Sequence, residues 1–152
     1  MPGAGWAAIG TALFLMTGCG EQPTPISAAC TQDAPVVTAL AQAPGAVALP
    51  GGARLSQCIS SGTQEADLLS VGMTFHGVAE QLRARAREDD DAAAAVQLGY
   101  LIGATRRGAA RTQGVMAELQ RRVELVGGRL QDEAPARAAD VQRGLAAGEK
   151  RG

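Results

Sequence analysis

Three kinds of residue in this 152-residue chain could do chemistry: three cysteines, a single histidine and the consecutive carboxylates Glu88-Asp89-Asp90-Asp91. His76 neighbours Phe75 but falls off the apolar stripe of its helix, and a lone imidazole on a helix flank is ordinarily structural or solvated. The carboxylate run could attract a cation such as Ca2+, yet it lacks the alternating ligand spacing of an EF-hand loop. It reads instead as a solvated tip that caps a helix. No GxSxG, HExxH, P-loop or CxxC spacing occurs in the sequence, so no nucleophile–base pair or phosphate cradle can be assembled from motifs. No metal, no cofactor and no catalytic residue is expected, and the chain reads as a non-enzyme.

Arginine is the remaining candidate. Of 14 basic residues only Lys150 is lysine. Arg106, Arg107, Arg111, Arg121, Arg122 and Arg129 fall in or just after one long predicted helix, against Glu118 and Glu124. Arg111, Arg122 and Arg129 lie close to one helical line, where Glu118 can pair with Arg122 at i+4. The bland expectation is a solvated face of paired charges. The sharper one is a partner-binding face, Arg107, Arg111, Arg122 and Arg129, that meets anionic lipid headgroups, wall polymers or a carboxylate-rich partner.

Residues 1–18 contain no Asp, Glu, Lys or Arg, and their strongest apolar stretch is AAIGTALFLM, from Ala7 to Met16. That length suits a signal-peptide hydrophobic region and is short for a spanning helix, which needs about 20 apolar residues. Leu15-Met16-Thr17-Gly18-Cys19 follows at once. In this stretch the sequence resembles bacterial lipoprotein precursors, with Gly18 at the small position of the lipobox and Cys19 at the modified one. The resemblance covers residues 1–19 only. It implies export, removal of residues 1–18, and a diacylglyceryl thioether with an N-acyl chain on Cys19. It also implies anchoring to the cell membrane or outer membrane, since two or more acyl chains hold stably. A secretory signal cleaved near Ala28-Ala29, or an uncleaved anchor, is the alternative.

Acylation of Cys19, if the resemblance holds, leaves Cys30 and Cys58 as a pair, and export places them where a disulfide persists. Two free cytosolic thiols are the alternative. A metal site is disfavoured, because two cysteines this far apart without a nearby histidine do not supply four ligands.

The elements that would position these groups read as all-α. The chain is 46% hydrophobic but 3% aromatic and 19% charged, with a formal net charge of −1. These values argue against nucleic-acid binding by bulk charge, full disorder or a multi-span membrane chain. Residues 19–59 form the lipidated tether and disulfide-pinned segment, rich in Pro and Gly, with a short helix expected over 34–43 and Asp33 as its cap. Residues 60–152 form the helical domain. Ser61 and Gln64 have capping-box spacing, and Leu68, Val71, Phe75, Val78 and Leu82 make one apolar stripe.

A second seam runs from Leu98 through Ile102, Thr105, Ala109, Thr112, Met116, Leu119 and Val123 to Val126, ending at Gly127-Gly128. The phase shift between Leu82 and Leu98 predicts a long antiparallel helical hairpin with the acidic run at its tip, and Asp90 or Asp91 as the second cap; with no Gly or Pro between Arg83 and Val96, one long continuous helix is the alternative. Gly99, Gly103 and Gly108 each cost about 0.8–1 kcal/mol in a helix interior, which points to close approach of a neighbouring helix, with Gly72 and Gly77 facing them. A short third helix is expected over 135–147, and the tail 148–152 should fray.

The function this supports is a membrane-anchored exported lipoprotein that acts as a non-catalytic binding or scaffolding module in the bacterial envelope. Its partners would be the membrane, through the lipid, and an envelope protein or anionic envelope polymer, with a second copy able to pair along the helical seam. The alternative is a small-ligand carrier with a pocket near Gly103, Gly108 and Thr112.

Overall fold

The structure, a computed structural model, describes residue 1, residues 26–61, 64–110, 112 and 114–152. The expected leader, Cys19 and Arg111 lie outside the described residues. The described chain is all-α, as the sequence predicts, with six helices: α1 Asp33–Leu40, α2 Leu55–Ser60, α3 Glu65–Glu88, α4 Ala92–Ala109, α5 Val115–Glu133 and α6 Ala138–Arg151. Single 3-10 turns precede α1 and α6.

Helix α3 forms where its stripe requires. Val71, Phe75, Val78 and Leu82 are fully buried, and Leu68 packs against the same core. It begins after Gln64 rather than Ser61. Asp90 ends it in the left-handed region, φ 51°, which a short acidic side chain tolerates. Asp91 caps α4 by accepting from the Ala94 backbone N–H at 3.0 Å, satisfying one donor that the helix start leaves free. That bond, opposed by burial and aided by the Arg85 guanidinium, holds the Asp91 carboxyl below its ordinary pKa.

The second seam is divided. Its apolar members Leu98, Ile102, Met116, Leu119, Val123 and Val126 are all buried as expected, together with Thr105 and Ala109. Yet the backbone leaves α4 after Ala109 and starts α5 after Gly114, whose φ of 75° and ψ of −119° suit glycine alone. The spacing survives because each half turns its own stripe to one core. Helix α5 also runs through Gly127-Gly128 instead of stopping there. A Cβ on Gly127 would lie 2.5 Å from Ile102 Cδ1, so that glycine makes room for α4.

Helix α4 is buried around its whole circumference from Ala94 to Thr105, which makes it the central element. Its most extensive contact is with α6. Val96 meets Gly144, Tyr100 meets Gly144 and Gly148, Gly99 meets Val141 and Leu145, and Gly103 meets Leu145 and Glu149. Residue numbers rise together along both helices, so α4 and α6 run parallel. Their glycines let backbone touch backbone, the close-approach logic of small-xxx-small pairs. The neighbour that the α4 glycines require is therefore α6, not α3: Gly77 is exposed, and a Cβ on Gly72 would meet only the Leu119 side chain. Gly108 faces α2, against Ser56 and Ile59. The tail does not fray either. Helix α6 continues to Arg151, and Gly148 and Gly152 are buried against α4.

The expected boundary at 59/60 falls inside α2. Cys30, Val36, Leu40, Leu55, Cys58 and Ile59 join the same apolar cluster as Phe75, Tyr100 and Val141.

Candidate functional site

Cys30 and Cys58 form the one disulfide among the described residues, with Cα atoms 5.6 Å apart. Both are 1% exposed. The bridge ties the turn before α1 to α2, and α2 in turn packs on α4. Its position is structural: it fixes where the chain enters the helical domain.

Most arginines are committed to carboxylates. Glu80 on α3 accepts from Arg83 at 2.9 Å and from Arg129 on α5, while Arg83 also reaches Glu133 at 2.5 Å. These pairs join α3 to α5. Burial alone would raise the Glu80 pKa, but the two arginine hydrogen bonds outweigh it and hold the carboxyl below its ordinary value. Arg106 on α4 reaches Glu124 on α5 at 2.6 Å and Glu149 on α6 at 3.1 Å.

The described residues of the expected arginine face, Arg107, Arg122 and Arg129, have separate contacts. Arg107 donates to the backbone carbonyls of Glu149 at 3.0 Å and Lys150 at 2.7 Å, covering acceptors that the end of α6 leaves free. Arg129 pairs with Glu80. Arg122 stays exposed and shares Glu118 with Arg121, each at 2.8 Å. Those two hydrogen bonds lower the Glu118 pKa to about 2. Asp90 reaches Arg137 at 3.3 Å, Asp91 reaches Arg85 at 2.5 Å and Glu88 pairs with Arg87, so three of the four carboxylates at the acidic tip are already engaged.

His76 Nε2 stands 4.0 Å from Glu80, and His76 lies in a groove between α3 and α5. Leu68, Leu69, Gly72 and Met73 line it from α3, and Glu118, Leu119 and Arg122 from α5; its volume is about 210 Å³. Leu69 and Met73 are 63% and 68% exposed, and with Leu125 at 53% they are the large apolar side chains most open to water among residues 26–152 that the structure describes; of the three only Leu69 and Met73 line the groove. Leu69 is one position past Leu68 and Met73 follows Leu69 at i+4, a second apolar edge that the single-stripe reading passes over.

Beside the glycine-rich part of α4 the described residues leave two open clefts, one of about 230 Å³ at Ile102 and Arg106 and one of about 110 Å³ at Arg107 and Gly108, while the glycines themselves are filled by neighbouring helices. Gly103 meets α6 backbone and Gly108 meets Ser56 and Ile59, and the Thr105 hydroxyl donates to Leu101 O at 2.8 Å. Tyr100 is fully buried; its hydroxyl lies by the Val47 backbone without hydrogen-bond geometry, and burial raises its pKa.

Among the described residues no helix is long and apolar enough to cross a membrane. What the fold and the site define is an all-α, disulfide-bridged domain with an apolar groove on its α3–α5 face. No family model matches the chain, and neither known proteins nor solved structures give a match.

Proposed function

We propose that the chain is an exported lipoprotein, anchored through acylated Cys19, whose helical domain binds a protein of the bacterial envelope through the α3–α5 groove without catalysing a reaction. The observation that carries the binding assignment is the exposure of Leu69 and Met73 beside that groove. Large apolar side chains left in water beside a concavity lose favourable burial that a partner would restore.

The lining favours a protein over a wall polymer, because Leu68, Leu69, Met73 and Leu119 offer little to a polar chain. Its size favours a protein over a carried small molecule: about 210 Å³ in an open groove is below the ~300–1,000 Å³ of pockets that enclose small ligands. Glu118 and Arg122 on α5 give the groove both signs of charge, so it selects an apolar side chain with mixed-charge neighbours rather than a strongly acidic segment.

A photo-crosslinking amino acid placed at Met73 in cells tests this. The expected result is one discrete heteromeric adduct that is lost when Leu69 is also changed to Asp, and that is absent when the crosslinker replaces exposed Asp132. An adduct of twice the chain mass assigns the groove to a second copy, and equal adducts from both positions overturn the assignment.

A further inference from the structure

The described arginines divide into two groups. Nine have a carboxylate within 4.0 Å. Arg54, Arg107 and Arg151 have none among the described residues, and neither does Lys150. These four cations are not scattered. Arg54 and Arg107 line one cleft of about 110 Å³ with Ser56, Gln57 and Ser60. The Arg107 guanidinium touches the Lys150 carbonyl, and Ser56 Oγ donates to Gly152 O at 2.6 Å. Gly152, the residue after Arg151, packs on Ala104 near the end of α4. The start of α2 and the ends of α4 and α6 therefore bring the unpaired positive charge to one end of the domain.

Positive charge at the ends of α4 and α6 also complements their dipoles. Arg54 has no such reason, because it stands at the start of α2. It is also the only basic residue before Arg83.

Two further observations say what this end faces. Ile26 and Ser27, where the described chain resumes, line a cleft with Ala53, Gln57, Cys58 and Ser61 of the α2 region. Gln57 belongs to both clefts, so the incoming chain and the basic cleft lie on two flanks of one short helix. Seven residue steps from Cys19 to Ile26 span at most about 25 Å when fully extended. The acidic turn Glu88–Asp91 precedes α4, at the opposite end of that 18-residue helix, about 27 Å away at 1.5 Å per residue. Arg85, Arg87 and Arg137 pair three of the four carboxylates of that turn, so the far end is close to charge-balanced and the unpaired positive charge lies where the chain enters.

We infer that the Arg54–Arg107–Lys150–Arg151 end docks on an anionic phospholipid surface, with headgroup phosphates as its ligand. This rests on the lipoprotein reading, which supplies the nearby bilayer. Guanidinium forks suit phosphate oxygens, and basic residues within a Debye length of an anionic leaflet are attracted to it. The attraction acts on the end that holds the unpaired cations and not on the balanced Glu88–Asp91 end, so the surface orients the domain with α4 standing away from it and that turn outermost.

Arginine modification by phenylglyoxal tests this on the full chain held in vesicles by its own N-terminus, with peptide mass spectrometry as the readout. Arg54 and Arg151 should react about fivefold more slowly in phosphatidylglycerol vesicles than in phosphatidylcholine vesicles. High salt should restore them, while Arg121 and Arg122 react equally in both. Equal reaction of Arg54 and Arg151 in the two vesicles overturns the inference. So does equal protection by inorganic phosphate without vesicles, which would make the cleft a small-anion site. The triple variant Arg54→Gln, Lys150→Gln, Arg151→Gln should stay folded by circular dichroism and show no difference between vesicles at Arg107. The intact mass of the membrane-extracted protein reports Cys19 acylation separately. Acylation without protection sinks the docking inference alone, and protection without acylation sinks the lipoprotein reading alone.

Discussion

Gly144 on α6 rests against the backbone of Val96 on α4, with no space for a methyl group between them. A Cβ there would fall inside the Val96 carbonyl and 2.8 Å from the Tyr100 nitrogen. Both obstacles are helix backbone and cannot swing aside. Gly144→Ala should therefore destabilise by about 3 kcal/mol or more, at the upper end of overpacking costs. Gly128→Ala is the control: it is equally helical, but nothing lies within 4 Å of the added carbon, so it should stabilise by about 0.8 kcal/mol. Urea midpoints of the two variants check this, and similar shifts of the same sign would contradict the backbone contact.

The helix break makes its own demand. Gly114 holds a φ of 75° with ψ near −119°, a region that costs an L-side chain about 1–3 kcal/mol. Gly114→Ala should lose that amount although nothing lies within 4 Å of its Cβ position. A loss below about 0.3 kcal/mol, inside the ordinary spread for surface sites, would mean that α4 and α5 do not need this turn.

The disulfide closes 28 residues of sequence. Replacing both Cys30 and Cys58 by Ala should cost about 3–4 kcal/mol by the chain-entropy argument. Intact mass should rise by two hydrogens on reduction, and an unchanged mass would leave the thiols free.

Acid should loosen the α3–α5 face. Glu80 and Glu118 both have folded pKa values below their ordinary 4.5, and Glu118 lies at about 2. A lowered carboxyl contributes its stabilisation fully above the unfolded value and loses it as pH falls through the folded one. The urea midpoint should thus drop between about pH 5 and pH 2, with a shallower drop in Glu80→Gln. Most of that change should come from Glu80, because Glu118 is solvated and its pairs are screened. An identical acid limb in Glu80→Gln would remove Glu80 from the account.

Anchoring has a direct check. Cys19→Ser should abolish lipid labelling and membrane-fraction retention. Retention that survives the change would mean a segment other than the acylated cysteine holds the chain.

Local chemistry made part of the fold legible. The Leu68–Leu82 stripe, the Asp91 cap and the Glu118–Arg122 pair each depend on residues within a turn or two of one another, and each stands as the spacing implies. The break before α5 was hidden because Thr105, Ala109, Thr112 and Met116 keep a 4-3-4 rhythm across it; only Gly114 marks the turn, and a glycine alone does not announce its φ. The partner of the α4 glycines was misread for the opposite reason. Gly144, Gly148 and Gly152 repeat the four-residue interval of Gly99 and Gly103, but matching two such intervals needs knowledge of which helices touch. The groove lay beside the stripe in Leu69 and Met73, and the unpaired charges emerged only once the ion pairs of the other described arginines were known.

The parallel seating of α4 and α6 also sets an order of events. Helix α4 is the centre of the core, yet one of its sides is backbone-tight against residues that are made some 45 positions later. Until those residues leave the ribosome, Val96, Tyr100 and their neighbours have no complete environment to fold into. Early segments are thus kept from locking into a finished domain, a delay that would serve the export proposed for this chain.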